Sequence, residues 1–308
     1  LLIITGLLIV CFAPVFYSYK SGLKWTEAEA EQIRIIGWSC GLVVIIVGLL
    51  YSYFKGRVQK VGWGAMQYPQ LSLGMLAIFV YVGVEVAIGS NLGELLRQPK
   101  FGGYESSQIA PFVAMFWGSL MIGRWSGAIN AFDLKNSTKQ ILRFIVPLVA
   151  FGVVLGFSKL MGYDIAPLYW YIICVIVQII AFYITNDKPA LTLSVYGTLG
   201  VVAMIIGLST SGMTAVYAFL SAGLFCSIMW PCIFSLSLAG LGKYQTQGSA
   251  FLVMMILGGA IIPPLQGKLS DVIGIQPSFI VGAICFAYLA FFAMFVKKML
   301  NKQGVDFE

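Results

Sequence analysis

The stretch Leu71–Gly93 reads LSLGMLAIFVYVGVEVAIGSNLG and decides the fold. A helix needs about 20 mostly apolar residues to cross the hydrocarbon core of a bilayer, and this stretch is long enough. Glu85 is its only charged side chain. A charge at the centre of a membrane helix costs about 2.5–3.5 kcal/mol on insertion scales, so such a residue usually faces a cavity and serves a function. The stretch therefore predicts a membrane-spanning helix that carries part of a functional site.

The composition of the whole chain agrees with a membrane protein. Of its 308 residues, 59% are hydrophobic and 10% are charged, whereas soluble domains are about 45–50% apolar and about 25% charged. The 34 glycines also fit, because small residues let membrane helices approach closely. We predict an all-α polytopic membrane protein of about ten spans, near 1–17, 35–54, 71–93, 109–126, 140–158, 167–185, 190–208, 213–235, 248–266 and 277–297.

The distribution of charge over the loops predicts the orientation. Loops on one side of the predicted spans, including Lys55–Lys60 and the C-terminal tail, carry twelve of the 19 Lys and Arg residues. The positive-inside rule assigns that side to the cytoplasm. The first helix then runs outward and the C-terminus lies inside. The net charge of +7 is explained as a topology signal, so we expect no nucleic-acid partner.

Several chemistries are not expected. The chain has no histidine, and its six cysteines lie in apolar runs without a CxxC pair, so we expect packing cysteines, no metal site and no cofactor. An acyl- or glycosyltransferase would need clustered acid, base or metal-binding groups, so we do not expect an enzyme. The opening Leu1–Val10 lacks a positive region typical of a signal peptide, and we interpret the chain as a fragment whose beginning is missing.

Candidate binding residues surround Glu85. On a helix, Tyr81 and Glu85 lie one turn apart on one face, with Gly89 another turn on. A phenol and a carboxyl beside a glycine notch could bind a polyhydroxylated ligand, and Glu85 is also the candidate for proton coupling. The alternative is a carboxyl neutralised for structure alone. Asn91, at the end of the same run, is a further polar candidate.

An internal proline marks a second candidate region. Pro231 removes a backbone hydrogen bond inside the span 213–235 and predicts a kink. In transporters such breaks occur where the chain lines a cavity, so Trp230 could stack on a sugar ring. The alternative is a packing Trp beside a proline that the membrane tolerates.

Other residues are candidates for gating and for lining a pathway. Arg124 ends a predicted helix on the cytoplasmic side, seven residues after Trp117 on the same face. Its guanidinium could hold an inner gate closed or serve only as a topology anchor. In the span 248–266, Phe251 could line a pathway or pack. The same span contains four candidates for gating: Gly258, Gly259, Pro263 and Pro264. They predict either a bent helix that can rock or a close-packed helix interface.

These motifs resemble a known family. The runs WPCIFS at 230–235, GLGKY at 240–244, QGSAFLVM at 247–254 and GGAIIPP at 258–264 are similar to the signature of the fucose–galactose–glucose:proton symporters of the major facilitator superfamily. The run YVGVEV at 81–86 resembles the seventh helix of the bacterial glucose/galactose branch. Arg124 and its flanking glycines resemble the family's motif at the cytoplasmic end of the eighth helix.

The resemblance implies a twelve-helix, monomeric transporter with two six-helix bundles and a sugar site at the membrane midplane. It implies that residues 1–54 hold the last two helices of the N-terminal bundle and that the first four helices are absent from this chain. Residues 55–70 would link the bundles in the cytoplasm, 71–298 would form the C-terminal bundle, and 299–308 would be a cytoplasmic tail. The pair near 140–185 has no counterpart in the twelve-helix plan.

The predicted function is proton-coupled uptake of a neutral hexose or deoxyhexose, such as fucose, galactose or glucose, by alternating access. The partners would be the sugar, a proton and the lipid bilayer. Two alternatives remain open at this point: a major facilitator-type transporter of another small solute, and a truncated, inactive remnant.

Overall fold

The computed structural model describes residues 2–20, 25–59, 61–129, 132–305 and 307. All regular structure in these ranges is helical. We number the α-helices in chain order: α1 Leu2–Tyr17, α2 Glu27–Val58, α3 Pro69–Arg97, α4 Ser106–Ala128, α5 Asn136–Leu160, α6 Ile172–Thr185, α7 Pro189–Ser209, α8 Gly212–Cys226, α9 Met229–Leu238, α10 Gln245–Met254, α11 Gly258–Ile273, α12 Ile275–Ser278 and α13 Ile280–Gln303.

Each of the ten predicted stretches is helical, which confirms the all-α polytopic fold. Within the described ranges, seven helical segments are long and apolar enough to cross a membrane, and α8 with α9 makes an eighth. The real helices extend beyond the apolar runs, because polar end residues continue a helix without entering the lipid. α2, for example, begins at Glu27, eight residues before its predicted start, and continues through Lys55 of the predicted linker.

Local sequence explains the ends of several helices. Thr26 caps α2, since its hydroxyl accepts the Glu29 backbone N–H while the Glu29 side chain accepts the Thr26 N–H. Between α6 and α7, Asn186 and Asp187 take left-handed backbone conformations that these short polar side chains tolerate. Pro189 then opens α7, where a missing N–H costs nothing. This explains how α6 and α7 reverse direction within three residues.

The helix that carries Glu85 lies at the centre of the protein. In α3, 67% of the most apolar window is buried, against 22% in α2. α3 contacts α2, α4, α8, α9, α10, α11 and α13. Gly258 allows a close approach of α11 to the backbone of α3, because a Cβ there would lie 1.8 Å from the Phe79 carbonyl oxygen. The midpoint of α3 is therefore surrounded by protein, while α2 lies at the edge.

The pair α5 and α6, which the twelve-helix plan implied by the resemblance would make additional, packs on one side of this core. α5 packs against α4, and α6 packs against α5, α7 and α8. The outer faces of the pair are apolar and exposed, as expected for lipid contact, at Ile141, Phe144, Val149, Phe157, Ile173, Ile176, Ile180 and Ile184. An ion pair between Arg143 of α5 and Asp187 fastens α5 to the turn between α6 and α7.

Two membrane segments are broken near their middle. The chain bends by 41° between α8 and α9, at Ser227 and Ile228. The predicted kink was at Pro231, which instead lies in the first turn of α9. The chain interrupts the helix upstream because a proline is tolerated in a first turn, where its missing N–H has no helical partner to lose. The second break is a single 3₁₀ turn, Met255–Leu257, between α10 and α11.

Candidate functional site

An ion pair joins α3 to α4 at the residue that opened the sequence analysis. Nη2 of Arg124 lies 3.7 Å from Oε1 of Glu85. The Glu85 side chain is 13% exposed and the Arg124 side chain 56% exposed. The second carboxylate oxygen, Oε2, is buried and accepts no hydrogen bond from the described residues. Oε2 of Glu85 is therefore an acceptor that another group could use, while Oε1 faces the half-exposed guanidinium of Arg124.

Aromatic rings from α3 and α9 lie beside this pair. Tyr81, one turn before Glu85, contacts Trp230 edge-on with ring centroids 6.1 Å apart. Trp230 stacks on Phe234, with centroids 5.0 Å apart and planes inclined by 22°. Tyr81 is almost fully buried, and Trp230 is partly exposed. The rings thus connect the buried centre of α3 to the surface formed by α9.

The glycine notch predicted beside Glu85 is filled by aromatic rings. A Cβ at Gly89 would lie 2.9 Å from a Phe116 ring atom and 3.0 Å from a Trp117 ring atom. Trp117 is nevertheless 43% exposed, so its outer edge remains available. The glycine on α3 therefore serves to admit Trp117 of α4 to the same face as Tyr81 and Glu85.

A cavity of about 690 Å³ lies where α4, the start of α7 and the α8–α9 break meet. Arg124, Trp230 and Pro231 line it, together with Asp187, Thr192, Ser227 and Ser235. Small-ligand sites have volumes of about 300–1,000 Å³ and combine an apolar lining with a few polar groups. Glu85 and Tyr81 are not in its wall, but each contacts a residue that is: Arg124 and Trp230 respectively. Arg124 therefore links the cavity wall to Glu85, and Trp230 links it to Tyr81.

Comparison with solved structures identifies the fold. The crystal structure of the Escherichia coli fucose:proton symporter matches 95% of this chain and 69% of its own, with a TM-score of 0.55 and 20% sequence identity. A crystal structure of a major facilitator superfamily transporter in the outward conformation matches 94% of this chain and 64% of its own, with a TM-score of 0.53 and 19% identity. The chain has the major-facilitator fold.

Curated relatives confirm the resemblance to sugar symporters. The glucose/galactose transporter of Brucella abortus is 31% identical over 281 residues, which cover 88% of this chain and 55% of the relative. The putative glucose/galactose transporter of Helicobacter pylori is 30% identical over 284 residues. The L-fucose-proton symporter of E. coli is 34% identical over 113 residues, or 36% of this chain. The chain spans about half the length of its glucose/galactose relatives, and no family model matches it.

Two further predicted binding residues, Asn91 and Phe251, lie outside the cavity wall. The Asn91 amide donates a 2.8 Å hydrogen bond to the Ala87 carbonyl of its own helix. Phe251 of α10 is partly buried and packs against the core. Their roles in ligand binding stay predictions.

The predicted gating residues of α11 make close contacts with α3. Gly258 lies against the Phe79 carbonyl, and a Cβ at Gly259 would lie 3.0 Å from Val82. Pro263 and Pro264 are the sixth and seventh residues of α11. These contacts are those of a close-packed interface, and the 3₁₀ turn before Gly258 is the irregular point of this segment.

Two polar residues next to the cavity did not enter the sequence-based set. Gln178 of α6 is fully buried, and its amide Nε2 lies 3.4 Å from Oγ of Ser227, which lines the cavity. In the sequence, Gln178 stands out as an amide side chain within the apolar stretch 167–185, and this is the signal that could have identified it. Ser227 carried no such signal, since a serine in a membrane helix usually satisfies its hydroxyl on its own backbone. Among the described residues, no three His, Cys, Asp or Glu side chains are grouped as a metal would need.

Proposed function

We propose that this protein is a secondary active transporter that takes up a neutral hexose or deoxyhexose together with a proton by alternating access. The observation that carries the proposal is the Glu85–Arg124 pair beside a cavity lined by Arg124 and Trp230 in a major-facilitator fold. The names of the glucose/galactose and fucose-proton relatives support the substrate class. The membrane would be a bacterial inner membrane, with the C-terminus in the cytoplasm and the predicted bundle boundaries as given above.

Ligand contacts follow from the chemistry of the lining. The partly exposed ring of Trp230 offers an apolar face for the CH groups of a sugar ring, as Trp117 does from α4. Oε2 of Glu85 lacks a partner and can accept a sugar hydroxyl. Tyr81 lies one turn away, buried against the edge of the Trp230 ring, and would hold that ring in place. Asn91 and Phe251 would contribute only after a rearrangement, because their side chains pack elsewhere in this structure.

Proton coupling would act through the ion pair. Arg124 is bound to Glu85 only while the carboxylate is charged, since a neutral acid loses the charge attraction. Protonation of Glu85 would therefore release Arg124 from α3 and turn the carboxyl into a hydrogen-bond donor for the ligand. In this way one proton would change both the contact between α3 and α4 and the polarity of the site.

Uptake measurements test the proposal. We expect cells that produce the encoded protein to accumulate labelled galactose, glucose or fucose, and an uncoupler to abolish the accumulation. Accumulation that resists the uncoupler would contradict proton coupling. If none of the three sugars is taken up or competes for binding, the proposed substrate class is wrong. Transport of another small solute is then the hypothesis to test.

Glu85→Gln tests the role assigned to the carboxyl, and Glu94→Gln is its matched control. Glu94 lies on the same helix and also pairs with an arginine, Arg97, but it is 52% exposed at the far end of α3. A charge-assisted hydrogen bond contributes about 1.5–3 kcal/mol, which corresponds to a loss of sugar affinity of about 10- to 150-fold. We expect this loss in Glu85→Gln and near-normal uptake in Glu94→Gln. Equal uptake by the two variants would remove Glu85 from the mechanism.

A further inference from the structure

A buried amide of the additional helix pair reaches the wall of the cavity. Gln178 of α6 is fully buried in an otherwise apolar membrane segment. Its Nε2 donates to Oγ of Ser227 at 3.4 Å, and its backbone carbonyl accepts the Tyr196 hydroxyl of α7 at 3.4 Å. Its Oε1 is buried without a hydrogen-bond partner among the described residues. A polar group held there is costly, so its contact with Ser227 is a specific one.

The partner of Gln178 sits at the bend of the broken span. Ser227 follows the last residue of α8, and its hydroxyl donates to the Leu224 carbonyl at 2.5 Å. That carbonyl belongs to the last turn of α8, where helical carbonyls run out of backbone partners. Ser227 thus uses its donor within α8 and its acceptor for α6. Trp230 follows three residues later, in the first turn of α9.

The contact leaves no spare space on the α4 side. A Cβ at Gly123, the residue before Arg124, would lie 1.7 Å from Oγ of Ser227 and 2.6 Å from Nε2 of Gln178. Gly123 and Ser227 both line the cavity. Three helices therefore meet at one point, and the bend cannot move toward α4 without moving the amide of Gln178.

The rest of the pair is fastened to the same helices. The hydroxyl of Tyr171, two turns before Gln178, lies 2.9 Å from Oγ of Ser119 on α4. The Tyr217 hydroxyl of α8 donates to the Pro167 carbonyl just before α6. Together with the Arg143–Asp187 ion pair, these contacts join α5 and α6 to α4, α7 and α8 near both ends of the pair.

We propose that Gln178 is a positioning residue for ligand binding: the additional pair supplies the amide that fixes the α8–α9 bend and so aims Trp230 into the cavity. Gln178 acts through Ser227 and makes no ligand contact itself. In treating the ligand as a hexose, this inference rests on the proposed function.

Equilibrium binding of radiolabelled galactose and glucose to the encoded protein is the first test. Gln178→Met keeps the length of the side chain and removes its donor, while Ser227→Ala removes the acceptor. A net hydrogen bond is worth about 0.5–1.5 kcal/mol, so each variant should raise the sugar Kd by about two- to twelvefold. The double variant should add little to either single one, because both remove one contact. The maximal transport rate should change less than the KM.

Tyr183→Phe is the matched control. The Tyr183 hydroxyl donates to the Gln140 carbonyl, so this change loosens α6 from α5 without touching the cavity. We expect its Kd to equal that of the wild type. If Tyr183→Phe weakens binding as much as Gln178→Met, the role of Gln178 is general packing and the proposal is overturned.

A readout without ligand separates this inference from the proposed function. Cys232 follows Pro231 in α9, lines the cavity and is 7% exposed. In a variant that keeps Cys232 as its only cysteine, we expect Gln178→Met and Ser227→Ala each to change the rate of alkylation by N-ethylmaleimide, and Tyr183→Phe to leave it unchanged. Unchanged rates in both cavity variants would overturn the inference. If the wild type binds no hexose, the proposed function fails and the alkylation rates alone decide.

Discussion

Gly258→Ala should force α11 away from α3, the helix at the centre of the protein. The new Cβ would lie 1.8 Å from the Phe79 carbonyl oxygen and 2.6 Å from its carbon, below the 3.0 Å that real Cβ contacts respect. These atoms belong to the backbone at the centre of α3, so no side-chain rotation can relieve the clash. α11 must move away from α3 by more than 1 Å, which opens a packing defect along the interface.

The magnitude follows from two opposing effects. Overpacking of a close interface costs about 1–3 kcal/mol. Replacing a helical glycine by alanine gains about 0.5–1 kcal/mol through the lower entropy of the unfolded chain. The clash therefore outweighs the gain, and we expect a net loss of about 1–2 kcal/mol of unfolding free energy.

Gly152→Ala in α5 is the matched control. Nothing lies within 4 Å of a Cβ at Gly152, so only the entropic gain applies there. Thermal unfolding of the purified protein in detergent, followed by its apparent midpoint, compares the two variants. We expect Gly258→Ala to unfold below the wild type and Gly152→Ala at or above it. A Gly258→Ala protein that unfolds at or above the wild-type midpoint would refute the close approach of α3 and α11.

Three further predictions concern ion pairs and thiols. Arg143→Met breaks the ion pair with Asp187, in which the arginine is 10% exposed and the aspartate 34% exposed. Thermal unfolding should show a loss of about 1–3 kcal/mol of unfolding free energy, which is less than for a fully buried pair. Lys268→Gln removes the solvent-accessible contact of α11 with Glu31 of α2, and the same assay should show little change in the unfolding midpoint at any salt concentration. A clear loss of stability would mean that this pair holds the helices together. N-ethylmaleimide should label Cys40 first, because it is exposed, and mass spectrometry should find it modified well before the buried thiols of Cys226, Cys232 and Cys285.

The pairing of Glu85 shows the limit of prediction from sequence. The cost of a charge in an apolar run is local, so the sequence alone indicates that Glu85 needs a partner and serves a function. Arg124 was equally compatible with an inner gate and with a topology anchor. The partner depends on how α4 lies against α3, which is set by the fit of Phe116 and Trp117 into the space left by Gly89.

The sequence by itself determined the type and approximate location of the helical stretches. A span is a property of consecutive residues, since lipid demands about 20 apolar side chains and an internally satisfied backbone. Runs such as Leu71–Gly93 therefore predict their own structure. The break in the span 213–235 was also predictable in outline, because Pro231 cannot continue an interior turn.

Only the tertiary structure decided where that break lies and what surrounds it. The helix restarts at Met229, so the bend falls at Ser227, where Gln178 of a helix 49 residues earlier in sequence and Gly123 of a third helix meet. Contacts between residues distant in sequence depend on the packing of whole helix faces, which no local pattern encodes. The contact of α6 with the cavity wall was hidden for the same reason: an apolar helix that faces only lipid and one that carries a buried amide to Ser227 share the same hydropathy.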